Sequence, residues 1–285
     1  MKHIRYIVLL LLTILVLTSC ANKTEDNRDI IAVTIVPEVE YVEKVVGDKF
    51  NVVAVVPTGS SPETYEPTAL EVEKILNARC YFSIGLPVEN TNTIKSFKDK
   101  VKEVELDKEV EKVYDDLMLG DERDPHIWLS IKRVKVMISS ILSTMVSLYP
   151  EYETEFTNNA NEYLEELDSS QKYIEDKIST IKEDKRIFIC YHPSFQYFAD
   201  DYGLTMYALE EEGKEPTASH LEEMLDLAKE KNIKVIFYQE EMSSVQAKAY
   251  AESIGGKTML LEPLSKEYIS NLKKMADIMA SVLGE

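Results

Sequence analysis

The feature that most constrains the fold is a long run without helix-breaking residues near the middle of the chain. Residues 152–185 contain neither glycine nor proline. Apolar side chains recur within the run at roughly helical spacing, at Phe156, Tyr163, Leu164, Leu167, Ile174, Ile178 and Ile181. At 1.5 Å per residue, a helix of about 30 residues is about 45 Å long. Because such a helix is longer than a typical lobe, we predict that it joins two lobes.

Strand and helix patterns alternate on the N-terminal side of this run. Three segments rich in β-branched or aromatic residues are predicted to be strands, namely residues 29–37, 50–57 and 79–85. In the second predicted helix, Thr68 and Glu71 have the spacing of a capping box. An amphipathic helix is predicted over residues 131–148, ended by Pro150. The alternation predicts a parallel sheet covered by helices, whereas residues 89–123 are charged and hard to assign.

The same alternation restarts after the run. Strands are predicted at residues 186–191, 204–209, 233–238 and 258–261, and helices at residues 195–202, 217–231, 243–254 and 268–283. We therefore predict an α/β fold of two lobes, each with a mostly parallel sheet, joined by one long rigid helix. The predicted boundaries are residues 30–150 for the N-terminal lobe, 151–185 for the linking helix and 186–285 for the C-terminal lobe.

The N-terminus has the pattern of a lipoprotein signal peptide. Lys2 and Arg5 precede an apolar run over residues 7–17, which is shorter than the roughly 20 residues that span a bilayer. The run ends at Leu-Thr-Ser-Cys, which resembles a lipobox with Cys20 as the lipidated residue. We predict a signal peptide at residues 1–19, a polar tether at 20–29 and a location on the extracytoplasmic face of a cell membrane. The alternative is an ordinary signal peptide in which Cys20 is incidental.

The charge balance argues against nucleic acid as a partner. The chain has 32 basic and 51 acidic residues, a net charge of -19, whereas phosphate backbones are bound by basic patches. An acidic surface favours cations, although only weakly. Cys80 and Cys190 lie in apolar, strand-like runs, and we expect two separate buried thiols rather than a disulfide.

Several candidate metal ligands lie just beyond predicted strands. His192 follows the fourth predicted strand, Glu262 follows the strand that ends at Leu261, and Glu63 lies in the loop after residues 50–57. Open α/β sheets bind ligands at the carboxyl ends of their strands, so a cleft between the lobes can gather these side chains. His126 is the other candidate. Taken singly, each has an ordinary alternative, because such histidines often stabilise turns and such carboxylates often cap helices.

Two further residues are weaker candidates. Gln239, Glu240 and Glu241 follow the strand at residues 233–238 and are expected to border the cleft, with Glu240 kept as a reserve ligand. His220 lies near the start of a predicted helix, where a surface or capping role is the better interpretation. Trp128, Tyr65 and Tyr197 either pack around the site or are ordinary core aromatics.

Several segments together resemble a known family. Residues 124–129, Asp-Pro-His-Ile-Trp-Leu, are the most specific. The other matching segments are residues 56–68, 192–198, 201–204, 215–217 and 261–264. Across nearly all of the mature sequence, the chain resembles the zinc- and manganese-binding solute-binding lipoproteins of ABC importers. The resemblance implies two α/β lobes joined by one rigid helix, capture of Zn²⁺ or Mn²⁺ as cargo between the lobes, and delivery to an ABC permease in the membrane.

The resemblance also implies a ligand set. His126 and His192 stand at ligand positions, and a carboxylate near Glu262 supplies the fourth ligand. Glu63 stands where the family ordinarily has histidine, so it either binds as a harder oxygen donor or marks a lost ligand. Two imidazoles and two carboxylates suit both Mn²⁺ and Zn²⁺. The histidine-rich loop of many zinc-specific members does not occur between residues 89 and 123.

Three other functions compete with metal capture. A metal-dependent hydrolase can use a similar ligand set, but HExxH, GxSxG and P-loop patterns do not occur. A surface adhesin on the same fold is the second alternative, and a binder of an organic solute is the third. We expect a protein that is not an enzyme and that acts as a monomer.

Overall fold

The computed structural model describes residues 27–98, 100–211, 214–241 and 244–284. The predicted signal peptide and Cys20 lie outside these residues, as does most of the predicted tether. Within the described residues, no helix combines the length and the apolar character needed to cross a lipid bilayer.

The N-terminal lobe is built on a four-stranded parallel sheet in the order β2-β1-β3-β4. The strands are β1 (Ile30–Val33), β2 (Asn51–Ala54), β3 (Ala78–Ser83) and β4 (Glu103–Glu105). The helices are α1 (Val36–Val46), α2 (Ala69–Leu76), α3 (Asn92–Lys98), α4 (Leu106–Glu111) and α5 (Ile131–Leu148). Short 3₁₀ turns lie at Gly47–Lys49, Pro87–Asn90 and Ile127–Leu129.

The N-terminal lobe also contains a capped helix and a stretch of short elements. The capping box of α2 is present, with the Glu71 amide donating to Thr68 Oγ1 and the Thr68 amide donating to Glu71 Oε2. The charged stretch that resisted assignment contains α3, β4, α4 and an antiparallel hairpin of β5 (Met118–Leu119) and β6 (Glu122–Arg123). These elements are short, which leaves little periodicity for a sequence pattern to reveal.

The C-terminal lobe repeats the architecture with a parallel sheet in the order β10-β9-β7-β8. Its strands are β7 (Ile187–Cys190), β8 (Thr205–Ala208), β9 (Val235–Tyr238) and β10 (Lys257–Leu260). Its helices are α7 (Gln196–Tyr202), α8 (Ala218–Glu230), α9 (Ser244–Ser253) and α10 (Tyr268–Leu283). The predicted fold class, two α/β lobes with parallel sheets and one long helix, is confirmed.

The long helix is α6 (Glu153–Ser179), which has 27 residues and is therefore about 40 Å long. It is shorter than predicted because 3₁₀ turns, Pro150–Tyr152 and Glu183–Lys185, flank it. Its periodic apolar face is buried and packs against α1, α5 and α10. Because helices from both ends of the chain contact α6, it acts as a spine of the molecule as well as a connection.

The two lobes share one apolar core. A single buried cluster includes Ile31 and Val134 of the N-terminal lobe and Phe188 and Met279 of the C-terminal part. At the boundary, Trp128 Nε1 donates to the carbonyl of Pro263 at 2.9 Å. The Tyr268 hydroxyl in turn donates to the carbonyl of Trp128 at 2.7 Å, and the rings of Tyr41 and Tyr268 meet edge to face at 4.9 Å. A packed core resists continuous deformation, so this arrangement opposes wide movement of the lobes.

The two cysteines of the described residues are separate buried thiols, as expected from the sequence. Cys80 lies on β3 and Cys190 on β7, in different sheets. Burial raises the pKa of Cys80 to about 12. At neutral pH this thiol is protonated and unreactive.

Candidate metal site

Three side chains from three separate loops converge between the lobes. Glu63 Oε1 lies 2.8 Å from His192 Nε2 and 3.4 Å from His126 Nε2. The two Nε2 atoms lie 3.3 Å apart. In the described part of the chain, this is the one group of three potential metal-binding side chains whose donor atoms all lie within 4.8 Å of one another. The structure thus brings together three of the four residues predicted as ligands.

Asp124 orients His126. The buried carboxylate accepts a hydrogen bond from the His126 backbone amide at 2.9 Å and another from Nδ1 of the ring at 2.7 Å. The 3₁₀ turn Ile127–Leu129 follows immediately and leads into α5. The ring of Trp128 lies 5.2 Å from the imidazole. With Nδ1 donating to Asp124, the Nε2 atom of a neutral ring presents its lone pair to the cavity.

Glu210 orients the ring of His192 from the end of the neighbouring strand. His192 lies two residues beyond the end of β7, and Glu210 lies two residues beyond the end of β8. Parallel pairing of these strands brings the two residues side by side, and His192 Nδ1 donates to Glu210 Oε2 at 2.7 Å. The imidazole is only 3% exposed at residue level. Both histidines therefore direct Nε2 toward Glu63 and are held by a carboxylate behind the ring.

The loop that carries Glu63 is fixed at two points. The Tyr65 amide donates to the Ser61 carbonyl at 3.0 Å, which closes a turn around Glu63. The Val88 amide donates to the Pro62 carbonyl at 3.1 Å and ties the loop to the segment after β3. That segment is itself held by buried Glu89, which accepts hydrogen bonds from Ile84 and Gly85 amides at 2.9 and 2.8 Å. Burial raises the pKa of Glu89 to about 7.

Mutual hydrogen bonds shift the pKa values of Glu63, His126 and His192. Burial would raise the pKa of Glu63, but hydrogen bonds from His126 and His192 outweigh burial and lower it to about 2. Burial would lower the pKa of His192, but hydrogen bonds to Glu210 and Glu63 outweigh it and raise the value to about 9. The pKa of His126 is also raised, because the attraction and hydrogen bond of Asp124 together with the Glu63 hydrogen bond outweigh burial. At neutral pH an imidazole proton thus occupies the place that a cation would take.

The cavity at this cluster is about the size of a single water molecule or ion. The volume open to the centre of a water molecule is about 20 Å³, and a single water needs about 10–15 Å³ by that measure. Organic ligands ordinarily occupy pockets of several hundred Å³. The size fits a bare ion and disfavours the organic-solute alternative.

Glu262 is not brought to the cluster. Its carboxylate Oε2 lies 2.5 Å from Lys274 Nζ on α10, and its side chain is 36% exposed. It does not line the cavity, although its neighbours Pro263 and Leu264 do. The expectation that Glu262 follows a strand end is correct, but α10 places a lysine beside it and draws the carboxylate away.

The weaker candidates also lie elsewhere. The side chain of Glu240 is exposed, whereas Gln239 and Glu241 on either side of it line the cavity. His220 lies in the first turn of α8, where its Nε2 bonds the carbonyl of Ala208 at 2.9 Å. Of the three aromatic residues considered, Trp128 lines the cavity and Tyr65 and Tyr197 do not.

Sequence reasoning missed two acidic residues at the site, Asp124 and Glu210, which hold the histidine rings. Glu241, which was expected only to border the cleft, lines the cavity. Asp124 had a detectable signal, because it stands two residues before His126 in the most specific segment. Glu210 had none, since only pairing of β7 with β8 brings it to His192.

Sequence comparison finds one matching family and relatives named for binding zinc or manganese. The model of the family described as ZnuA, the periplasmic component A of the zinc-uptake complex, matches residues 31–282. The zinc-binding lipoprotein AdcA of Streptococcus pneumoniae is 31% identical over 273 residues, covering 88% of this chain and 53% of its own length. The manganese-binding lipoprotein MntA of Halalkalibacterium halodurans is 24% identical over 264 residues, covering 86% of this chain and 85% of its own length.

Solved structures agree with these sequence matches. A crystal structure of ZnuA superposes with a TM-score of 0.83 at 32% sequence identity, covering 90% of this chain and all of that chain. This chain spans about half the length of the first curated relatives that it matches, the AdcA proteins of Streptococcus pneumoniae.

Proposed function

Because the chain belongs to the ZnuA family of periplasmic zinc-uptake components, we propose that it captures a divalent transition metal, Zn²⁺ or Mn²⁺, and delivers it to an ABC permease. Glu63, His126 and His192 are the proposed ligands. The observation that carries the proposal is their convergence in a buried cavity of ion size. The family is one of solute-binding components rather than of enzymes, so the hydrolase alternative is set aside.

The donor chemistry supports a borderline divalent ion. Neutral imidazole suits zinc and other late transition metals, and carboxylate suits manganese as well. Behind each histidine lies a carboxylate, the arrangement that orients metal-binding imidazoles and raises their basicity. Both curated relatives described above are named for binding one of these two metals, zinc for AdcA and manganese for MntA.

The proposed mode of capture is exchange of protons for metal. In the metal-free protein, hydrogen bonds between Glu63 and the two histidines hold the cluster together. A divalent ion replaces the shared proton, and the rings stay in place because Asp124 and Glu210 hold their Nδ1 atoms. Release takes place on docking to the permease. The proposed lipid on Cys20 keeps the protein at the extracytoplasmic face of the membrane.

Metal analysis of the purified mature protein tests this function. Elemental analysis followed by titration of Zn²⁺ and Mn²⁺ into chelator-treated protein should give one tightly bound equivalent per chain. Absence of any bound metal would overturn the proposal and return the adhesive alternative to consideration. Titration of Glu63→Ala in parallel shows whether the glutamate takes over the role of the family histidine.

Metal affinity should rise with pH. The pKa of His192 is raised to about 9 in the metal-free protein, so its proton competes with the metal at neutral pH. The apparent association constant for Zn²⁺ should therefore increase by about tenfold per pH unit for each proton released, and level off near pH 9. Calorimetry in buffers of different ionisation enthalpy counts the released protons. Affinity that is constant from about pH 6.5 to 8.5, after correction for the buffer, would contradict the exchange.

Removal of the negative charge of Glu210, the carboxylate that holds His192, should weaken metal binding. Glu210→Gln keeps an acceptor for Nδ1 but removes its charge, and loss of such an outer partner typically costs about 10–100-fold in metal affinity. We expect a change of this size in a competition assay with a chromophoric chelator. Glu222→Gln, at an exposed position of α8, is the control and should bind as the wild type does. Equal affinities in the two variants would refute a role for Glu210.

Metal binding should leave the overall dimensions nearly unchanged. The shared core and the spine α6 oppose lobe movement. A compact chain of this length has a radius of gyration of about 18 Å, and we expect it to change by less than about 3% on saturation with zinc. Small-angle X-ray scattering with and without metal measures the change. A clear contraction would show that the lobes close as hinged bodies.

A further inference from the structure

We propose that Glu241 supplies the fourth ligand of the metal site, the position that Glu262 was expected to fill. This inference rests on the proposed function and assigns one more residue to the same site. It follows from the placement of Glu241, from its lack of an ion-pair partner among the described residues and from the charge of the other three ligands.

Glu241 faces the cavity that holds the metal cluster. Glu63 and Glu241 are the two acidic residues that line the cavity, together with the two histidines. After β9 ends at Tyr238, Gln239 and Glu241 line the cavity and Glu240 between them is exposed. Glu240 and Glu241 lie in the turn that follows β9. This turn exposes Glu240 and directs Glu241 to the cavity.

The carboxylate of Glu241 has no ion-pair partner among the described residues. This half-buried group accepts a hydrogen bond from its own backbone amide. Burial raises its pKa and repulsion by Glu240 and Glu262 adds to the rise, whereas that hydrogen bond and the attraction of His192 act in the opposite direction. A partly desolvated carboxylate without an ion-pair partner costs free energy. A cation in the adjacent cavity removes that cost.

Coordination number and charge also favour a fourth protein ligand. Glu63, His126 and His192 provide three donor atoms, whereas closed zinc sites have four protein ligands. With two neutral imidazoles and one carboxylate, a divalent ion retains a charge of +1. A second carboxylate neutralises the site, which matters in a cavity that admits about one water-sized particle. The resulting set of two nitrogens and two oxygens suits both proposed metals.

The rival carboxylate is already engaged. Glu262 pairs with Lys274 and lies outside the cavity lining. Movement of Glu262 to the metal would break this ion pair, whereas movement of Glu241 breaks no ion pair with a described residue and gives up the hydrogen bond from its own backbone amide. The difference favours Glu241 as the group that turns toward the metal.

Four variants of the full mature protein test the assignment: Glu241→Gln, Glu241→Asp, Glu240→Gln and Glu262→Gln. Competition with a chromophoric chelator gives the zinc dissociation constant of each, and the absorption bands of bound Co²⁺ report the coordination geometry. Glu241→Gln should weaken zinc binding at least about tenfold, because loss of an outer partner alone typically costs about 10–100-fold. Its Co²⁺ bands should also differ from those of the wild type. Glu241→Asp should be intermediate, and the other two variants should match the wild type.

The outcomes separate this inference from the proposed function. If wild-type protein binds zinc and loses it on replacement of the histidines, but Glu241→Gln equals Glu240→Gln in affinity and in Co²⁺ spectrum, the fourth-ligand assignment fails alone. Loss of binding in Glu262→Gln with normal binding in Glu241→Gln would assign the position to Glu262. If the wild type binds no metal, the proposed function itself fails. Equal thermal unfolding of the metal-free variants checks that each one is folded.

Discussion

Zinc affinity of His192→Ala should fall by about 10²–10³-fold. Structural zinc sites with four ligands bind with about 10–16 kcal/mol, so one ligand accounts for roughly 3–4 kcal/mol. His192 Nε2 lies 2.8 Å from Glu63 and 3.3 Å from His126 Nε2, so its removal opens the centre of the cluster. We expect His126→Ala to behave in the same way. Calorimetric titration of metal-free protein, with a competing chelator for the wild type, measures the loss.

His220→Ala is the matched control for both variants. His220 belongs to the described residues but bonds the carbonyl of Ala208 in the first turn of α8, outside the cluster. Its removal should leave zinc affinity unchanged and lower stability only slightly. If His126→Ala and His192→Ala bind zinc as tightly as His220→Ala does, the metal lies elsewhere.

The metal-free protein should lose about 3–5 kcal/mol of its free energy of unfolding on Trp128→Ala, the usual cost of removing a buried aromatic side chain. Trp128 is 1% exposed and belongs to the core that both lobes share. Its indole Nε1 also donates across the lobe boundary to the carbonyl of Pro263 at 2.9 Å. Denaturation by urea in the presence of a chelator, followed by circular dichroism, measures the change without any contribution from bound metal.

Trp128→Phe separates packing from the hydrogen bond. The smaller ring keeps most of the buried apolar surface but leaves the Pro263 carbonyl without its donor, a loss of about 1–3 kcal/mol. Leu70→Ala, at a residue that is 64% exposed, should change the free energy of unfolding by less than about 0.5 kcal/mol. A cost for Trp128→Ala as small as that of Leu70→Ala would show that the boundary between the lobes is not part of the core.

Local patterns in the sequence were sufficient for the architecture. Apart from β4, which lies in the unassigned stretch, the strands of both sheets and helices α5 and α10 are regular elements in which side chains repeat with the period of the backbone. Their positions therefore follow from neighbours in the chain. The capping box of α2 is local as well, since Thr68 and Glu71 lie three residues apart. The long helix was predicted for the same reason. It ends at Ser179, before the predicted end at residue 185, and the 3₁₀ turn Glu183–Lys185 leads into β7.

Three ligands of the candidate site also followed from the sequence. His126, His192 and Glu63 were identified from strand ends and from segments that resemble a family, and the structure gathers all three. The residue that we propose as the fourth ligand, Glu241, was not singled out, because the choice among Glu240, Glu241 and Glu262 depends on contacts between distant parts of the chain. Lys274 on α10 draws Glu262 away from the cavity, and the turn after β9 exposes Glu240 while it directs Glu241 inward.

The carboxylate behind His192 is placed by tertiary structure alone. Glu210 is 18 residues from His192 in the chain and reaches its Nδ1 atom only because β8 pairs with β7. The raised pKa of His192 depends on that contact and on Glu63, which arrives from the other lobe. Periodicity and capping act over a few residues and can be read along a chain. The protonation state of a buried imidazole depends instead on which charges surround it in space.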